Sequence, residues 1–310
     1  MGKSIDMSGF AKSIAAKGID LYGISVLQDG KKIGEYHRKN KLRKEIRSAS
    51  KSITSLAVGR AVEEGLFSLD DKIASYFPEF LPQNPQEELL NITIRNLLTM
   101  TMGYTSYILS PFIRESCRVD WLEYIFSERL DLQPGERFIY NNACPYLCGA
   151  LISKLAHENY LDWMKKRFFT PLGINNPQWF TCPSGRPIAL GGLFLNVDEL
   201  SRFGQLCLDG GMWNGQRLVS EDYIRIATCK HVEVDSTIDN VDEKPTGDFA
   251  AGYGYFFWMN ARGGYRMWGR YGQNCIVLPD LGAVITTSAL EEKNEQGLYD
   301  CIWEELVPQL

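Results

Sequence analysis

The 310-residue chain is poor in the residues and patterns that mark several large functional classes. Its only histidines are His37, His157 and His231, and none has a second His or a Cys at ligand spacing, which argues against a zinc centre. There is no Cys-x-x-Cys pair. The eight cysteines are scattered, several in apolar settings such as Leu147-Cys148-Gly149, so reduced buried thiols are expected rather than a disulfide framework. Positive charge is not in excess: the net charge is −5 and the pI is near 5.4, which disfavours a nucleic-acid partner. The one basic run, Arg38 to Lys44, reads as a solvated loop, with anion binding as the other reading. No apolar run reaches membrane-spanning length and the first twenty residues carry no leader pattern, so no membrane partner and a cytoplasmic location are expected. A Gly-x-Ser-x-Gly elbow is also missing, and with it the usual frame of a Ser-His-Asp hydrolase.

What is present is an ordinary globular composition, 45% hydrophobic and 23% charged, in a length that suits one large domain or two intimate lobes. A helix is expected over 8–17, then a hairpin of strands 21–27 and 32–37 turning on Asp29-Gly30. Ile53, Leu56, Ala57, Ala61 and Val62 recur at helical spacing over 48–65. Helices are expected at 94–100, 121–127, 146–157, 161–169 and 198–210. Residues 188–196 read as an apolar turn and 231–248 as a polar surface loop. Strands are expected at 254–260, 265–270, 274–278 and 283–288, with a last helix over 295–306. The fold class that follows is α/β in the α+β sense: an antiparallel sheet built from both chain termini and flanked by helices, with a mostly helical lobe inserted. The expected division is 1–45 with 205–310 as the sheet lobe and 46–204 as the helical lobe, with the active site in the cleft between them.

Three stretches carry chemistry. Ser48-Ala49-Ser50-Lys51 is a Ser-x-x-Lys at a predicted helix start, where residues three apart share a face and backbone N–H groups are free. A serine needs a base nearby, and a lysine serves only when burial and neighbouring positive charge favour its neutral form. The other reading of Ser48 is a helix N-cap. Tyr140-Asn141-Asn142 places Tyr140 and Asn142 on one side of an extended backbone, where a phenol can pass a proton and an amide can hold a carbonyl. A loop tyrosine beside an Asn cap is the alternative. Met267 to Gln273 is a glycine-bearing strand, read either as a close approach to a ligand or as a hairpin with a glycine bulge.

Taken in order, these stretches resemble the serine β-lactamase-like family, the group of class C β-lactamases, penicillin-binding proteins and related esterases and D-amino-acid peptidases. The likeness runs through Arg47 to Thr54, Ala61 to Asp71, Ile92 to Thr99, Pro134 to Asn142, Pro171 to Gly173 and Asp198 to Leu206. It implies an acyl-enzyme serine hydrolase acting on an ester or amide: an esterase, a peptidase or amidase, or a weak β-lactamase. Ser48 would be the nucleophile, Lys51 and Tyr140 the proton-handling pair, and Asn142 a substrate-binding residue. The N–H groups of Ser48 and Gln273 would form the oxyanion hole. Neither metal nor organic cofactor is implied; the partner is a small ester, amide or short peptide, and the oligomeric state stays open.

Departures from the family pattern shape the expectation further. The family's third motif is matched to Arg270-Tyr271-Gly272, so the usual Lys or His is an arginine, suited to gripping a carboxylate but not to taking a proton. Tyr271 is bulky for its place, and Met100 and Met102 replace polar residues. These changes disfavour efficient β-lactam hydrolysis and leave a second reading, a penicillin-binding or carboxylate-ligand sensor with little turnover. The many aromatics of 253–268 are expected to divide between core and an apolar acyl pocket.

Overall fold

In the computed structural model, which describes residues 3–38, 42–237, 244–292 and 294–310, the chain opens with helix α1 (Ser8–Ala16) and the hairpin β1 (Leu21–Gln28) and β2 (Lys31–His37). Asp29 and Gly30 both take left-handed backbone, φ 49 and 71, which matches the twist of a two-residue hairpin. A two-residue strand β3 (Lys44–Glu45) leads into the long helix α2 (Ala49–Glu63). The expected basic run straddles residues 39–41, which lie outside the described residues. Its Arg43 is not simply solvated, for it bonds to Glu199 and to the carbonyls of Asn175 and Asn176.

Helices dominate the next stretch: α3 (Glu87–Asn91), α4 (Ile94–Leu98), α5 (Pro111–Ser116), α6 (Trp121–Ser127), α7 (Ala143–Ala156) and α8 (Tyr160–Met164). Strands β4 (Gln178–Trp179) and β5 (Leu193–Leu195) then join β3 in a small sheet of order β3-β5-β4; β5 falls within 188–196, where an apolar turn is expected from sequence. Reciprocal capping boxes fix the starts of α4 (Thr93 with Asn96) and of α9 (Val197–Leu208; Asn196 with Glu199), each cap contributing about 1 kcal/mol. A small hairpin, β6 (Met212–Trp213) and β7 (Gln216–Arg217), and helix α10 (Glu221–Ala227) follow.

The C-terminal part returns to the sheet with β8 (Trp258–Met259), β9 (Tyr265–Gly269), β10 (Gln273–Leu278) and β11 (Ala283–Ala289), before the closing helix α11 (Glu295–Cys301). The six-stranded order is β2-β1-β11-β10-β9-β8, every pair antiparallel, with Val26 opposite Ile285 and Ile276 opposite Ile285 on its other side. First and last strands of the sequence therefore pair inside the sheet, with β2 alone between them and its edge. Every residue of β9, β10 and β11 is buried, and α9 packs across β1, β10 and β11 as one unit, so residue 204 falls inside an element rather than between two. The expected strand 254–260 shrinks to two residues. Phe256 takes φ 60 and gives its N–H to Leu98 O at 3.0 Å, bending the run toward α4. The expected loop 231–248 includes residues 238–243, which lie outside the described residues.

Helix α2 is buried on all faces from Ala49 to Gly59, not amphipathic as its apolar spacing suggests. Its polar residues are spent on neighbours: Thr54 Oγ1 donates to Ala189 O at 2.9 Å, Ser52 to Phe256 O, and Ser55 meets the Tyr223 hydroxyl at 3.2 Å. A helix so enclosed is held by tertiary packing, and its first turn is fixed between the sheet and the other helices. No helix among the described residues is long and apolar enough to cross a membrane.

Candidate active site

Ser48 stands at the N-cap of α2, yet its hydroxyl caps nothing. Its backbone is helical, φ −70 and ψ −9, whereas a capping side chain needs extended backbone to reach back to the first turn. The hydroxyl faces Lys51 instead, with Nζ 2.9 Å from Oγ. Arg47, one residue earlier, holds a left-handed φ of 52, costing about 1 kcal/mol or more for a side chain of this size. The turn is kept in place by Arg47 Nη1 on Glu45 Oε2 at 2.7 Å, while Glu45 Oε1 accepts the Gly192 N–H at 2.9 Å.

Lys51 is 1% exposed. Its amine also contacts Leu190 O at 2.6 Å and lies 5.1 Å from the centre of the Tyr140 ring. Burial pushes its pKa well below the ordinary 10.5, Arg114 and Arg270 push the same way, and Cys144 and Glu45 oppose them. A neutral amine there can donate to Leu190 O and turn its lone pair to Ser48.

Tyr140 lies buried in the segment just before α7, ringed by Tyr107, Tyr253, Trp258 and Trp268 at 5.8–6.5 Å between ring centres. Its hydroxyl hydrogen-bonds to Ser48; burial, then Tyr107, raises its pKa against that bond and Arg270, so it stays a phenol. Asn142 is not a cap either. Its Nδ2 donates to Leu109 O at 2.8 Å, which fixes the amide orientation because a carbonyl can only accept, and Oδ1 is left buried without a partner among the described residues. The neighbouring Asn141 takes the Ala143 N–H at 2.9 Å and donates to Ser106 O at 3.0 Å.

The third stretch is a hairpin, the second of the two arrangements its sequence allows. Strand β9 stops at Gly269, and Arg270-Tyr271-Gly272 is the turn into β10, with Tyr271 and Gly272 at φ 73 and 83. The close approach belongs to Gly269: a Cβ there would sit 2.3 Å from Ile46 O and 3.1 Å from Ala49 N. Gly272 instead faces Leu298 and Ala289. Gln273, expected at the oxyanion hole, opens β10 opposite Gly269, one strand further from Ser48. Its side chain is tied to Ala289 O and to the Ser288 hydroxyl. Arg270 and Tyr271 do reach Ser48: with Asn142, Tyr107, Arg114 and Leu190 they line a cavity of about 330 Å³ over it. A second cavity of about 360 Å³ opens on the other side of the same turn, among Phe249, Trp258, Trp268, Glu291 and Glu295.

Sequence reasoning missed Arg114 and the Leu190 carbonyl. Arg114 lies in the six-residue helix α5, whose Ser110-Pro111 start marks a helix but says nothing of where its arginine points; its Nε is buried without a hydrogen-bond partner among the described residues. Met100 and Met102 pack beneath the site, where Met100 Sδ takes the Asn141 N–H at 3.4 Å and Met102 Sδ meets Cys144 Sγ at 3.3 Å. The histidines stand elsewhere; His231 stacks on Tyr255 at 4.2 Å. Glu35, His37 and Asp198 are close enough to share a cation, but the Lys32 ammonium already bonds to Glu35 at 2.8 Å and Asp198 at 2.6 Å.

Known proteins share this frame. A D-stereospecific amidohydrolase from Streptomyces sp. superposes with a TM-score of 0.73 at 18% identity, covering 98% of this chain and 99% of its own. A penicillin binding protein from Bacillus halodurans gives 0.72 at 17%, covering 95% and 99%. In sequence, a lovastatin esterase from Penicillium rubens is 29% identical over 186 residues, 53% of this chain and 46% of the esterase, so the match spans less than half of that relative. The sequence profile of the family described as Beta-lactamase matches residues 13–299, and with the Ser48–Lys51 pair at the start of a buried helix, the chain belongs to that family of serine hydrolases.

Proposed function

We propose that this protein is a serine hydrolase that forms an acyl-enzyme at Ser48 from an ester or amide bearing a carboxylate. The observation that carries the reading is the 2.9 Å contact between Ser48 Oγ and a buried Lys51 amine whose neutral form is favoured. Lys51 would take the Ser48 proton as Oγ attacks the carbonyl; Tyr140 would give its own proton to the leaving group and be refilled by the proton Lys51 holds, which leaves both groups neutral again. Water would then give up a proton to Lys51 as it attacks the acyl-enzyme, and that proton would pass to Ser48 Oγ as the acyl bond breaks.

The oxyanion hole is assigned to the N–H groups of Ser48 and Arg270 instead of Gln273. Asn260 gives its N–H to Gly264 O at 3.1 Å and Trp258 pairs with Arg266, so even-numbered residues of β9 direct their backbone groups to the β8 edge. Strand β8 ends there, which leaves the backbone of Trp268 and Arg270 to face beyond it, beside the turn that Gly269 lets close on Ser48. Arg114 and Arg270 give the cavity a positive wall for a carboxylate, and the orphan Asn142 Oδ1 favours a substrate that offers an N–H there, as an amide does.

The test is turnover of p-nitrophenyl acetate and of a labelled penicillin, with Ser48→Ala as control. Release of nitrophenol that Ser48→Ala abolishes supports hydrolysis. A stable penicillin adduct without turnover supports the sensor reading. Equal rates in wild type and Ser48→Ala would remove Ser48 from any reaction.

A further inference from the structure

We propose that Glu295 is a positioning residue for this reaction, its carboxylate clamping both ends of the Arg270–Gly272 turn so that Arg270 stays against Ser48. The proposal rests on the serine-hydrolase reading. Two consecutive residues of that turn, Tyr271 and Gly272, hold left-handed backbone, and a tyrosine does so only where its surroundings enforce it. Three ties do the enforcing. The Glu291 N–H bonds to Tyr271 O at 3.1 Å, the Thr287 hydroxyl bonds to Gly272 O at 2.9 Å, and the Glu295 carboxylate accepts the Gly272 N–H.

Glu295 does more than the other two. From the first turn of α11 it also accepts Trp268 Nε1–H at 2.5 Å, so one side chain grips β9 just before the turn and Gly272, the last residue of the turn itself. Trp268 in turn packs edge-on to Tyr140, ring centres 6.5 Å apart, so the same clamp bears on the phenol. Glu295 lies half-buried at the wall of the second cavity, away from Ser48, and so acts through the turn.

Burial raises the Glu295 pKa to about 7, against the pull of Trp268, Arg266, the Gly272 N–H and Arg270. The charged groups around it are Arg266 on β9, Arg270 in the turn, Glu291 and Glu292 before α11, and Asp248 with Tyr299 beyond Arg266. Protonated, the side chain trades one acceptor for a donor, and the clamp weakens as pH falls through neutrality.

The test compares wild type with Glu295→Gln, an isostere of the protonated acid, in kcat and KM for p-nitrophenyl acetate from pH 5.5 to 9. Tryptophan fluorescence is titrated in parallel, with Trp268→Phe as control. In wild type, kcat falls about tenfold from pH 8 to 6 with an inflection near 7, at nearly constant KM. Glu295→Gln loses that inflection and runs at the wild-type low-pH level throughout, and it loses a fluorescence transition that Trp268→Phe also lacks. An active Glu295→Gln that keeps the wild-type kcat and pH profile overturns the proposal alone. A wild type inactive on every ester overturns the hydrolase reading and takes the proposal with it.

Discussion

At Lys51, burial and the arginines act in the same direction, and the site depends on both. Replacing Lys51 with Ala is expected to slow acylation by about two to four orders of magnitude, the usual loss of a positioned proton acceptor, and Tyr140→Phe by a similar factor. The stability effect has the opposite sign. In the unfolded chain this amine takes a proton below its ordinary 10.5, while the folded protein resists it, so the unfolded state binds more protons and stability falls as pH drops below that value. Lys51→Met should therefore resist urea better than wild type at pH 7, with the gap closing as pH approaches 10.5; a wild type that is the more stable at both would contradict a neutral Lys51. Arg270→Ala is expected to slow carboxylate-bearing substrates about ten- to a hundredfold more than neutral esters, from the ~1.5–3 kcal/mol of a charge-assisted pair. Equal losses on both would reject the carboxylate anchor.

The strand–turn–strand unit β9–β10 sets the geometry around Ser48. Gly269→Ala puts a methyl 2.3 Å from Ile46 O, so it should destabilise the fold by about 1–3 kcal/mol and depress acylation, both measurable on one preparation. Tyr271→Gly removes a side chain from left-handed backbone and should raise stability by about 1 kcal/mol while enlarging the cavity. These elements also show what the sequence could reveal. Alternation and the Pro279-Asp280 and Asp29-Gly30 turns marked β1, β2, β9, β10 and β11 to within a residue or two, because each strand is long enough to repeat its period. Strands β3, β4 and β5 have two or three residues and leave no period to read. The roles of the two glycines of this stretch, 269 and 272, are not legible in sequence, because only the steric surroundings separate the one that lets Ser48 close in from the one that forms the turn. The meeting of the Ser48, Lys51 and Tyr140 side chains is legible in sequence because the order of short motifs is linear there. The place of Arg114 is not, since it depends on how α5 folds over the cleft.

For the molecule as a whole, strands from the two ends of the chain pair inside one sheet while α2 is enclosed by sheet and helices together. Neither the sheet nor the helical insertion keeps its core without the other, so urea unfolding should be a single transition, the same by fluorescence and by circular dichroism. Two separated transitions would mean that the two parts are independent. The same enclosure buries Lys51, and that burial is the main cause holding its pKa below the ordinary value.

The most direct measurement is the rate at which Ser48 becomes acylated by p-nitrophenyl acetate at pH 7, read by intact-protein and peptide mass spectrometry in wild type and Lys51→Ala. A single acetyl group on Ser48, formed at least a hundredfold more slowly in the variant, is the expected result. Equal rates in the two proteins, or an adduct on another residue such as the exposed Cys229, would contradict the account.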